Sequence, residues 1–333
     1  MKKILAITLT LLLIVAAFAG CNGLKNGGES SAPTPVAKAD INIAGLKGPT
    51  TMGLVKVYDD NEKGAAANNY TFTIAGSADE ITPKLTKGEL DIAAIPANLA
   101  SVLYNKTEGK IKVLGINTLG VVYIVEKGEA IKNLADLKGK TIYATGKGST
   151  PEYALRYILK ENGIDPDKDV KLEWKSEPTE VVALLKNAED GVAMLPQPYV
   201  TVAQGSVEGL RIAINLNDEW NSLGNDSMFI TGVVVARTEF LENNKAAVNE
   251  FLKEYKASTA YVNENVETAA TLIEKVGIVK APVAQKAIPF CNITYIDGAK
   301  MKTALKGYLQ TLFDNNPASV GGKLPDDNFY YEK

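Results

Sequence analysis

The chain has 333 residues, 36 basic and 39 acidic side chains, two cysteines and no histidine. The missing histidine excludes a Ser-His-Asp triad, a Cys-His dyad and any His-ligated metal, and two thiols cannot build a four-cysteine site, so neither a metal nor a cofactor is expected. A net charge of −3 gives no electrostatic case for nucleic acid as a partner.

Lys2 and Lys3 precede an apolar run, Ile4 to Phe18, which ends in Ala19-Gly20-Cys21. A basic flank, a short apolar run and small residues read as a secretory signal over residues 1–20, too short for a membrane span. A cysteine directly after Ala-Gly resembles a bacterial lipobox and makes Cys21 the expected lipidation site. Residues 21–39, rich in Gly, Ser, Pro and Thr, read as a flexible tether. The protein is therefore expected outside the cytoplasm, lipid-anchored to the cell membrane.

Beyond the tether, strands and helices alternate. Strands are predicted at Ile41–Ala44, Thr71–Ile74 and Asp91–Ile95, with helices at Thr50–Asp60 and Ala78–Lys87. The rhythm restarts near Thr141. Strands at Thr141–Ala144, Val170–Trp174 and Val192–Leu195 alternate with helices at Glu152–Asn162 and Thr179–Asn187. Strands at Ile212–Leu216 and Met228–Ala236 follow, and then helices at Glu239–Asn265, Val266–Val276 and Ala299–Asn315. This is the βαβ pattern of an α/β fold with mostly parallel sheets. The two series lie in register at an offset of one hundred: Gly48 with Gly148, Thr50 with Thr150, Glu80 with Glu180, Pro96 with Pro196. Two similar lobes are expected.

In open parallel sheets, ligands sit beyond the carboxyl ends of the strands. In the first lobe the turn Gly48-Pro49-Thr50-Thr51 ends a strand, and either threonine can cap the following helix. The second lobe repeats it as Gly148-Ser149-Thr150-Pro151, a clear helix start. Neither turn is a P-loop or a dinucleotide fingerprint. Ser77, Asn98, Gln197 and Tyr199 lie at other strand ends. Asn225, Asp226, Phe229 and Thr231 fall near a passage between lobes. The candidate ligand contacts are Gly48, Pro49, Thr50, Thr51, Ser77, Asn98, Gly148, Ser149, Thr150, Gln197, Tyr199 and Thr231. Ser77 with Glu80 reads as a capping box, the alternative being a carboxylate left free to meet an amine or aminopyrimidine. Trp174, Trp220, Tyr153, Tyr199 and Tyr295 could stack on a planar ligand, although at these spacings such rings more often pack in a core.

The lipobox, the tether, the Gly-Pro-Thr-Thr turn, Leu85-x-x-Gly-Glu-Leu-Asp-Ile-Ala93 and Leu134-x-x-Leu-Lys-Gly-Lys-Thr-Ile142 together resemble ABC-transporter solute-binding proteins. The branch they resemble is the nitrate, sulfonate, taurine and thiamine-pyrimidine group. The resemblance implies a two-lobe type II periplasmic binding fold with the ligand cleft between lobes. It implies a discontinuous first lobe (40–122 plus 232–333) around a second (123–231). It also implies a non-enzymatic protein that captures a small polar or planar solute by hinge closure and delivers it to an ABC permease with its ATPase. A lyase-type enzyme on the same fold and a sensory lipoprotein are the alternatives. The chain departs from the pyrimidine branch in lacking its cysteine-rich motif, and from pyrimidine synthases in lacking histidine, so the solute is not carried over.

Overall fold

The computed structural model describes residues 38–332; the signal and most of the tether, with Cys21, lie outside them. The strands are β1 (Asp40–Leu46), β2 (Asn69–Ala75), β3 (Ile92–Pro96), β4 (Ile111–Leu119), β5 (Val122–Lys127), β6 (Thr141–Thr145), β7 (Lys171–Lys175), β8 (Gly191–Pro196), β9 (Leu210–Asn215), β10 (Ile230–Arg237) and β11 (Ile293–Ile296). They form two sheets, ordered β11-β4-β10-β3-β1-β2 and β7-β6-β8-β5-β9.

The offset in the sequence reappears as a repeat in the topology. In the first sheet β1 pairs parallel with β2 and β3; in the second, β6 pairs parallel with β7 and β8. Each parallel half is then extended by a strand that has crossed from the other half of the chain and runs antiparallel, β10 beside β3 and β5 beside β8. Both sheets are therefore mixed. Every residue of β3 is buried, as expected of a strand covered on both faces.

The helices are α1 (Pro49–Met52), α2 (Val55–Glu62), α3 (Ala78–Lys87), α4 (Ala97–Lys106), α5 (Thr150–Glu161), α6 (Pro178–Asn187), α7 (Tyr199–Ser206), α8 (Leu216–Ser222), α9 (Thr238–Asn243), α10 (Lys245–Glu264), α11 (Val266–Lys275), α12 (Ala281–Ala287) and α13 (Gly298–Asn315). Two predicted helices are each divided. The first breaks at Gly53-Leu54, where Ser258 Oγ donates to the Gly53 carbonyl (2.6 Å) and accepts from the Lys56 N–H (3.2 Å), diverting groups that would continue the ladder. The second breaks at Asn244, which leaves helical geometry (φ −128°, ψ 34°) and bonds the Phe240 carbonyl from its backbone N–H (2.9 Å) and from Nδ2 (3.1 Å). β10 starts at Ile230 because Met228 is exposed and Phe229 turns into the core.

One buried cluster runs through both sheets, joining Ile95, Val113 and Leu305 to Ile142, Leu155 and Ile214. At its centre Trp220 of α8 stacks on Phe229 (5.2 Å between centroids) and tilts against Tyr157 of α5 (5.0 Å) and Tyr308 of α13 (5.5 Å). This aromatic group ties the C-terminal helix to helices of the second sheet beside the return crossover.

Candidate functional site

The carboxyl ends of β1 and β3, the bulged end of β4 and the start of β10 gather at one edge of the first sheet. There Asn117 Nδ2 donates to the Thr50 carbonyl (3.3 Å), and Thr118 Oγ1 donates to Asn117 Oδ1 (3.0 Å). Gly232 of β10 lies so close that a Cβ on it would stand 2.5 Å from Thr50 Cγ2 and 2.6 Å from Asn117 Oδ1. Only glycine lets α1 lie this near the sheet.

Thr50 and Thr51 do not cap. The N-cap of α1 is Gly48, and both threonines lie inside that short helix, buried. Their hydroxyls, with that of Thr231 on β10, are buried oxygens without a hydrogen-bond partner. Such groups are uncommon, because an unpaired buried polar atom is costly. Gly48 and Pro49 are buried beside them.

Residues at the edge of the second sheet meet this one directly. Thr150 Oγ1 of α5 donates to Asn98 Oδ1 of α4 (3.2 Å), and Asn98 Nδ2 reaches the Gly148 carbonyl (3.4 Å). Both side chains are fully buried. Further out, a Cβ on Gly76 would stand 2.6 Å from Glu177 Oε1. The predicted contacts Asn98, Gly148 and Thr150 are thus brought together, with their polar groups turned on one another. Tyr123 Oη donates to the Phe290 carbonyl (3.3 Å), a further link between the halves.

Other expected contacts carry structural duties. Ser149 Oγ donates to the Gly146 carbonyl (2.8 Å) and closes its own turn. Gln197 Oε1 accepts from the Thr201 hydroxyl (2.9 Å) in the first turn of α7. Tyr199 packs with Tyr123, Val181 and Leu195 in the second lobe's core, where burial raises its hydroxyl pKa. At Ser77, Glu80 Oε1 accepts from the N–H groups of Gly76 (2.9 Å) and Ser77 (3.0 Å), so the carboxylate caps α3. Asn225 and Phe229 do not reach the cleft: Asn225 Nδ2 donates to Tyr157 Oη (3.2 Å) and Phe229 belongs to the aromatic core. Asp226 lines a separate groove with Met228 and Ala304. Among the candidate stacking rings, Trp220 is core for the same reason as Phe229. Tyr295 packs edge-on against Tyr255 (5.7 Å), and Tyr153 and Trp174 lie partly buried against the main core cluster.

Electrostatically the cleft edge is mixed. Own-chain carboxylates already occupy the helix starts: Glu152 Oε2 accepts from the Gly148 N–H (2.7 Å) and Glu180 Oε1 from that of Glu177 (3.1 Å). All three arginines are committed elsewhere: Arg156 to Glu152 and Asp167, Arg211 to Glu126, Arg237 to Asp91. Lys47 and Lys147, at matching positions of the two turns, are exposed. Sequence reasoning misses Asn117 and Thr118, whose signal is a polar pair at the end of the apolar run Val113-Leu114-Gly115-Ile116. Among the described residues no group of His, Cys, Asp and Glu is placed to hold a metal.

The family model for the phosphonate periplasmic substrate-binding protein of ABC transporters matches residues 67–282. The chain belongs to that family. It is the periplasmic substrate-binding component of an ABC transporter for a small molecule. A binding protein of Brucella abortus (strain 2308) is 24% identical over 234 residues, which span 68% of this chain and 71% of that protein. An ABC transporter structure from Parabacteroides distasonis superposes with a TM-score of 0.72 at 26% identity, covering 88% of this chain and 99% of the other. The periplasmic aliphatic sulphonate binding protein of Escherichia coli shares the fold (TM-score 0.69, 18% identity, 88% of this chain, 93% of that one). The expected two-lobe α/β architecture is the architecture of these neighbours.

Proposed function

We propose that this substrate-binding protein captures, without chemical change, a small solute bearing both an oxyanion and an amine, such as an aminoalkyl phosphonate or sulfonate. The observation that carries this reading is a group of three unpartnered buried hydroxyls at one sheet edge, with a carboxylate, Glu177, further out on the opposite lobe. Thr50, Thr51 and Thr231 offer buried donors to an oxyanion, and no guanidinium is free to do so. Glu177, whose carboxylate caps α6 and accepts from Thr179 Oγ1 (3.3 Å), lies against Gly76 of the opposite lobe and offers its remaining acceptor capacity to an ammonium group. The family's description names phosphonate, and two neighbours are sulfonate-binding proteins, which supports the oxyanion half. Residues 40–122 with 232–333, and residues 123–231, act as two lobes that close on the solute and present it to the permease. Gly48, Pro49, Ser77, Gly148, Ser149, Gln197 and Tyr199 shape the walls rather than supply the principal bonds. The N-terminal segment fits this role: lipidated Cys21 holds the protein at the outer face of the cell membrane, and Cys21→Ala moves it from the membrane to the soluble fraction.

Matched ligands test the solute class. Thermal melting is followed with 2-aminoethylphosphonate against ethylphosphonate, and with taurine against ethanesulfonate. The amine-bearing member of a pair raises the melting temperature and its partner raises it less; at a hundredfold excess over Kd the stabilisation is about 2.7 kcal/mol. Equal shifts within both pairs remove the amine from the reading. No shift with any of the four removes the solute class.

A further inference from the structure

We infer that Asn98 is the latch that holds the two lobes together, a positioning residue that sets how readily the cleft opens and so how long a captured solute is retained. The inference rests on the two-lobe capture reading but not on the identity of the solute. Asn98 stands in the first turn of α4 in the first lobe and is fully buried. Its amide is spent on three partners. Nδ2 donates to the Ser319 carbonyl (3.0 Å), which anchors the side chain within its own lobe. The same nitrogen reaches the Gly148 carbonyl (3.4 Å), and Oδ1 accepts from the Thr150 hydroxyl (3.2 Å); both partners belong to the second lobe.

The anchoring bond matters because it fixes the amide's orientation. With Nδ2 held by Ser319, Oδ1 is turned toward the second lobe, where it meets the Thr150 hydroxyl at the start of α5; the neighbouring Ser149 Oγ is already bound to Gly146. Parting the lobes would leave Oδ1, Thr150 Oγ1 and the Gly148 carbonyl without these partners until water replaced them. In a buried seam that exchange is costly, so the contact biases the ligand-free protein toward closure. Tyr308 of α13 lies beside this contact, its buried hydroxyl next to that of Thr150.

Small-angle X-ray scattering of the ligand-free protein tests the latch without any solute. Thr150→Val keeps the shape and removes the donor, and Asn98→Ala removes the whole amide. Each is expected to enlarge the radius of gyration relative to the parent while circular dichroism stays native, reflecting a roughly two- to tenfold shift toward the open form, the worth of one net hydrogen bond. In the double variant the effect is smaller than the sum of the two, because both remove one contact. If Asn98→Ala does not fold, Thr150→Val alone decides. Native variants that scatter as the parent does overturn the latch, whether or not the solute class above is right.

Discussion

Three threonine hydroxyls carry a consequence opposite to that of most buried polar groups. Removing one partner of a buried hydrogen bond usually destabilises, because the other is left unsatisfied. Thr231 Oγ1 has no partner to strand. Thr231→Val therefore leaves the melting temperature unchanged or raises it, while the affinity for the solute falls roughly two- to tenfold, the worth of one net hydrogen bond. Calorimetric titration beside a melting curve checks both. A variant that melts lower with unchanged affinity would assign this hydroxyl to the fold instead. The sequence reveals Thr50 and Thr51 as strand-end residues and Thr231 as a residue near the passage between lobes, but not their role. A Thr after Gly-Pro reads equally well as a cap, and only the placement of Gly48 as the N-cap leaves the hydroxyls over for other work.

Among the elements, α3 and α6 show how far local rules reach. They occupy Ala78–Lys87 and Pro178–Asn187, in the register the repeat predicts. Gly88 follows α3 in the left-handed region (φ 82°) and Glu80 closes its start, so both ends are encoded within one short segment. Glu80→Ala frees the N–H groups of Gly76 and Ser77 and is expected to cost about 0.5–2 kcal/mol, measured as a lowered urea midpoint at unchanged slope. A midpoint unmoved by the substitution would mean that the turn holds α3 without its carboxylate. Other elements are illegible for physical reasons. β4 and β5 form an almost continuous apolar stretch, whose periodicity separates neither strand from helix nor one strand from the next. The antiparallel entry of β10 between β3 and β4 depends on pairing with residues far away in the chain. The break at Gly53 depends on Ser258, 205 positions on. Asn98 and Thr150 are legible as strand-end groups, but that they meet each other depends on the arrangement of both lobes.

For the whole molecule, the absence of histidine has a thermodynamic meaning. No side chain with an ordinary pKa near neutrality is present, so stability is expected to stay flat between about pH 6 and 8. On the acid side the sign follows from the carboxylates. The Tyr104 hydroxyl at Asp326 (2.6 Å) and the Lys171 ammonium at Glu173 (2.6 Å) hold those carboxyls below their usual range. A depressed carboxyl stabilises the fold above its unfolded pKa, and that contribution is lost as pH falls through the folded value. On the alkaline side burial pushes the hydroxyls of Tyr123 and Tyr104 up to about 12 and raises those of Tyr255 and Tyr308 as well. A raised tyrosine favours the neutral fold below its unfolded pKa, and stability declines as pH climbs toward the folded value. Melting temperatures across the pH range should trace a plateau with two falling shoulders. A slope inside the plateau would reveal a shifted group that these contacts do not contain.

The crossing of β10 also dictates an order of events. It fills the gap between β3 and β4, yet it follows β3 in the chain only after the whole of the second sheet, which lies between Pro96 and Ile230. During synthesis or passage through a membrane, the leading third of the chain can form βαβ pieces but not a finished sheet. The centre of that sheet does not exist until the later part of the chain has arrived. The second sheet, whose strands β5 to β9 are consecutive in the chain, meets no such delay. A protein bound for the cell exterior is thereby kept incomplete until most of it is through, by topology alone.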